Sequence, residues 1–213
     1  MKTNYEIVQK TKSSTKDNLF KIFLLLFMAQ IIANHQSFFG LFTGNTSELY
    51  GGLLGSNIPL IILAIFFSIF VTASITTGVS AFSLRLYRSN EIDTKELEKF
   101  FSTPKPLIIT LILLVVVVLG TLVFIVPGVI LALSFSQIYF ILADDPDLGI
   151  IEVFERSEKL TRNYKWQILA LGLEFGFYLF VGLFTLGIWW IWLIPKYYVA
   201  YAVFYEELKK ENN

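Results

Sequence analysis

Apolar residues in this chain fall into long blocks, not into the alternating or one-sided patterns of soluble strands and helices. A helix needs about 20 apolar residues to cross the roughly 30 Å hydrocarbon core of a bilayer. Blocks of that kind run over 19–36, with Lys21 at its edge, and over 58–86. Residues 106–143 carry no charge at all and are too many for one pass. The Val126-Pro127-Gly128 step is a turn signal inside that run, so it divides into crossings at 106–126 and 128–143. Two further blocks, 166–186 and 188–205, are separated by a tight turn at Thr185-Leu186-Gly187. The pattern predicts an all-α polytopic membrane protein. It forms a single domain over 1–213, with six transmembrane helices in three hairpins.

Charge fixes an orientation. Short cytoplasmic loops collect Lys and Arg. The leading segment holds Lys2, Lys10, Lys12, Lys16 and Lys21, and the second loop holds Arg85, Arg88, Lys95, Lys99 and Lys105. The fourth loop holds Arg156, Lys159, Arg162 and Lys165, and the tail holds Lys209 and Lys210. Of the 17 Lys and Arg residues, 16 fall on one side, Lys196 falls deep inside a crossing, and the other three loops have none. Both termini are therefore expected in the cytoplasm. Trp189, Trp190 and Trp192 then lie toward the outer interface and Trp166 at the inner one, as aromatic belts do.

The cytoplasmic connections carry their own pattern. Asp145-Pro146 reads as a helix start, with Asp at the cap and Pro in the first turn. Ile150, Phe154, Ser157, Leu160 and Tyr164 then recur at helical spacing, with Glu152, Glu155, Arg156 and Lys159 on the other sides. That predicts an amphipathic helix over about 146–164 at the inner interface. It either packs on its own bundle or offers Ile150, Phe154, Arg156, Leu160, Arg162 and Tyr164 to a partner. A shorter helix of the same kind is expected over 94–101. An internal echo links Lys10-Thr11, Thr15-Lys16-Asp17 and Phe20-Lys21-Ile22 to Arg156-Ser157, Thr161-Arg162-Asn163 and Trp166-Gln167-Ile168, without gaps. It suggests a repeated unit of cytoplasmic helix plus crossing.

Composition agrees and excludes. The chain is 55% hydrophobic and 16% charged, against about 45–50% and about 25% in soluble domains. Disorder, fibrous repeats and an ordinary soluble enzyme are excluded. Seventeen basic residues balance 17 acidic ones, so the basic surface that nucleic acid needs is missing. Cysteine is absent and His35 is the only histidine. That leaves no disulfide framework, no thiolate nucleophile and no histidine-based metal centre. Neither a metal nor a cofactor is expected. The polar lead over 1–18 is too long for a cleavable signal peptide, and no A-x-A step follows the apolar run.

Several features together resemble a family of uncharacterised six-helix integral membrane proteins of Gram-positive bacteria, a domain of unknown function. They are Val126-Pro127-Gly128-Val129-Ile130, then Ala143, Asp145-Pro146 and Arg156-Ser157, then Lys165-Trp166, and Ile194-Pro195, Ala202 and Phe204-Tyr205. The family commonly has Gly where Asn163 stands and Trp where Phe177 stands. The resemblance implies the fold and no activity.

Ionisable groups at membrane depth are costly and are functional candidates by default. Glu174 and Lys196 each lie eight residues into a crossing, from opposite sides, so both sit roughly 12 Å deep at 1.5 Å per residue. The two helices are expected to be antiparallel neighbours, which makes an intramembrane ion pair plausible. Pro195 is expected to kink the helix beside Lys196. Ser68, Thr72, Thr76, Ser80 and Ser83 form a hydroxyl stripe suited to close helix packing. Asp144, Asp145 and Asp147 are expected to cap the helix that follows them. Zinc-peptidase, nucleophile-elbow and P-loop motifs are absent. Three functions fit. One is a non-enzymatic membrane module that binds a membrane protein, lipid or peptide. Another is a small transporter or channel using Glu174 and Lys196. The third is an immunity protein against a membrane-active peptide.

Overall fold

The computed structural model describes residues 3–15, 58–89, 99–184 and 189–212. The expected first crossing, 19–36, lies outside them, as does most of the expected helix over 94–101. Every regular element among the described residues is helical: α1 (Asn4–Thr15), α2 (Ile58–Ser89), α3 (Lys105–Val123), α4 (Ile125–Ser134), α5 (Ile138–Asp144), α6 (Ile150–Thr161), α7 (Lys165–Phe184) and α8 (Trp190–Asn212), with a 3-10 turn at Lys99–Ser102. Among the described residues three stretches are long and apolar enough to cross a membrane: Ile65–Ser89, Lys105–Val123 and Ile125–Asp144. On α3 the apolar side chains point outward, with Leu114, Val118 and Leu122 exposed. Such a surface is stable against lipid and not against water.

The α3–α4 hairpin turns earlier than its sequence suggests. Phe124 supplies the turn, with extended backbone at φ −159° and ψ 149°. Pro127 lies instead in the first turn of α4, where a missing N–H costs nothing. Gly128 serves packing. A Cβ added there would meet the Thr121 Cα at 2.8 Å, so the two backbones are in near contact. Gly120 faces Gly128 across the same seam. Removing side chains from a helix interface in this way lets antiparallel helices approach closely in lipid.

The fourth apolar run is broken. Its helix stops at Ser134 and restarts at Ile138. A break strands backbone carbonyls that hydrocarbon cannot satisfy. Here α6 satisfies one of them, since the Ser157 and Thr161 hydroxyls each donate to the Ser134 carbonyl at 2.9 Å. The sequence pattern places the α6 start at Asp145-Pro146. The helix instead begins at Ile150 with Gly149 as its cap residue. Glu152 reaches back to accept the Gly149 N–H at 2.8 Å. This is half of a capping box, because glycine has no side chain to return the bond.

α1 and α6 begin alike. The first residue of α6 lies 146 positions beyond that of α1. Each has a glutamate at its third position that accepts the cap N–H: Glu6 from Thr3 at 3.0 Å, and Glu152 from Gly149. Each also buries its fourth residue completely, Ile7 in one and Val153 in the other. The two helices thus share a start, while the echoed residues 16–22 lie outside the described residues.

The three short elements α1, the 3-10 turn and α6 seat in a cycle. α1 packs on α8, the 3-10 turn on α2, and α6 on α4 and α5. Each precedes one expected hairpin and rests on the second helix of another. Those second helices form the centre, with α2 against both α5 and α8, and with Phe140 of α5 stacked on Tyr205 of α8 at 5.9 Å. The core residues Phe82, Ile141 and Phe204 lie where they meet.

Candidate functional site

Two polar constellations stand out. The first ties the ends of the three central helices. Arg88, in the last turn of α2, pairs with Asp144 at 2.7 Å and with Glu206, whose Oε1 also accepts its Nε–H at 2.8 Å. Asp144, the last residue of α5, also accepts Lys209 Nζ at 2.6 Å and the Tyr205 hydroxyl at 3.1 Å. The Asp144 side chain is 14% exposed and that of Arg88 42%. The network is thus partly shielded, and stronger than a surface pair. Lys105 adds a tie from α3, donating to the Leu148 carbonyl at 3.0 Å and to that of Pro146.

Asp144 was expected to cap α6 together with Asp145 and Asp147. It caps nothing and is the hub of this network. Asp145 makes only a long pair with Arg156, at 3.8 Å. The chain alone could hint at the hub, because Arg88, Asp144 and Lys209 each end an apolar block on the same side. It could not show that these three ends converge.

The second constellation is formed by Glu174 and Lys196. Glu174 of α7 and Lys196 of α8 line one cavity of about 300 Å³. Among the described residues they form no ion pair with each other. The expected direct ion pair is not made, although both side chains line the same cavity. Phe175, Tyr178, Trp189 and Leu193 supply the remaining wall, and Val8 of α1 closes one edge. Pro195 lies inside α8, which continues through it. Tyr197 stacks edge-on against Phe175 at 5.3 Å and lies 4.8 Å from Tyr201, fixing α7 against α8 next to the cavity.

The six residues offered to a partner from α6 divide. Leu160 is buried, and Ile150, Phe154 and Tyr164 pack against the core. Phe154 meets Phe135 edge-on at 5.2 Å, in the break of the fourth run. Only Arg156 and Arg162 are exposed. The apolar four face the chain's own bundle because the broken run needs covering. The hydroxyl stripe of α2 behaves as expected for close packing. Thr76, Ser80 and Ser83 each donate to the carbonyl four residues back, and Ser80 and Ser83 are buried while Ser68 and Thr72 are half-buried. Among the described residues no group of three or more acidic or histidine side chains could hold a metal ion.

Helices of membrane length, an outward apolar face on α3 and a charged knot at one end define a helical membrane protein. The chain belongs to the family described as "Protein of unknown function (DUF975)", whose model matches residues 58–212. No curated protein and no solved structure matches it.

Proposed function

We propose that the chain is a non-enzymatic, multi-pass protein of the bacterial plasma membrane that binds a membrane protein or peptide from its cytoplasmic face. It crosses the bilayer six times with both termini in the cytoplasm. It takes no cofactor, and its constant partner is the lipid itself. The outward apolar surface of α3 carries the membrane assignment. Placement of 16 cations on one side supports the orientation, with Lys196 the exception among the 17. At 20 residues, α7 is about 30 Å long and matches the hydrocarbon core. The partner surface is the outer face of α6, where Ile151, Glu155, Arg156, Lys159 and Arg162 are exposed while the opposite face is anchored. A photo-crosslinker at position 156 or 162 in living cells, read by mass spectrometry, should capture one recurring membrane protein or peptide. Labelling spread evenly over abundant proteins would sink the reading. Protection against a membrane-active peptide is the special case in which the captured partner is a foreign peptide.

A second reading is a small transporter, favoured by the cavity that Glu174 and Lys196 share. Substrate sites of transporters lie near the bilayer midplane and use such groups. Proteoliposome uptake that Glu174→Gln abolishes would favour it over the binding module.

A further inference from the structure

The cavity between α7 and α8 has an unusual charge arrangement. A carboxylate, Glu174, and an ammonium, Lys196, line one space of about 300 Å³ without pairing with each other. Both side chains are half-buried, where opposite charges attract more strongly than in bulk water. A ligand with one charge would satisfy one of them and leave the other uncompensated. A ligand with both charges satisfies both, its ammonium against Glu174 and its oxyanion against Lys196. Phe175, Tyr178 and Trp189 bring aromatic rings to the same space, and ring faces attract ammonium groups. The volume lies at the small end of ligand sites, which run from about 300 to 1,000 Å³.

We propose that this cavity binds a small zwitterion, an ammonium and an oxyanion held a few atoms apart. The headgroup of a phosphatidylethanolamine-type lipid and a soluble molecule of amino-acid type share that chemistry. The inference stands whether or not the ligand is moved across the bilayer, and it is independent of the partner surface on α6.

The test uses the full chain in nanodiscs. In the lipid arm, native mass spectrometry follows retention from an equimolar mixture of phosphatidylethanolamine and phosphatidylglycerol. In the soluble arm, with phosphatidylglycerol nanodiscs, calorimetry compares phosphoethanolamine with its two halves, ethanolamine and inorganic phosphate. A tenfold or greater preference for phosphatidylethanolamine assigns the lipid source. A tenfold or greater preference for phosphoethanolamine over both halves assigns the soluble source. Either preference should fall at least tenfold in Glu174→Gln and in Lys196→Met. Absence of preference in both arms overturns the proposal, as does a preference that survives in both folded variants. The wild-type comparison needs no substitution, so a variant that fails to fold cannot hide a negative result.

Discussion

Asp144 ties together the ends of the three central helices. It receives Arg88, Lys209 and the Tyr205 hydroxyl from two different helices. Hydrogen bonds to charged groups contribute about 1.5–3 kcal/mol each, and removing one partner of a shielded pair costs more than the pair gave. With Arg88 and Lys209 both partly exposed, the expected loss for Asp144→Asn is about 1–3 kcal/mol. At about 2–4 °C per kcal/mol for a chain of this size, the melting temperature in detergent should fall by several degrees. Tyr205→Phe removes a single bond and should cost about 1 kcal/mol or less. Equal melting of Asp144→Asn and wild type would show that the network does not hold these ends. At this scale the sequence was partly legible. It marked Asp144 as an acidic residue at a boundary and Glu174 and Lys196 as charges at one depth. The partners of Asp144 come from residues 56 to 65 positions away in the chain, beyond any local spacing rule.

At the level of elements, α6 is a cover for a broken helix. Its hydroxyls supply donors to the Ser134 carbonyl, and Phe154 packs into the break against Phe135. Ser157→Ala or Thr161→Val alone should be mild, about 1 kcal/mol, since the other hydroxyl remains. The double change leaves the carbonyl without either donor. It should cost more than the sum of the single changes, read by thermal melting in a double-mutant cycle. Strict additivity would mean that the hydroxyls do not share one carbonyl. Periodicity found this helix and its apolar face. Its start was misplaced because Asp145-Pro146 is a good local start signal, while the chain needs those residues to turn back from α5. The turn between α3 and α4 was misplaced for a related reason. Val126-Pro127-Gly128 has turn chemistry, but proline is tolerated in a first helical turn and glycine here answers to packing against Thr121.

For the whole molecule, α1, the 3-10 turn and α6 seat on α8, α2 and α4–α5 in a cycle among the described residues. The charged knot sits where those helices end. Block length and charge sufficed to read an all-helical membrane protein, because lipid imposes long apolar runs regardless of tertiary detail. The convergence of three helix ends was not legible, because it depends on contacts between units far apart in the chain. The central claim is that the basic side chains between the apolar blocks all stay in the cytosol. The chain has no cysteine, so single cysteines introduced at Asn45, Asn90 and Asn212 report position directly. In intact cells, a thiol reagent that cannot cross the membrane should label position 45 and spare 90 and 212 until the cells are opened. Labelling of 90 or 212 in intact cells would contradict the account.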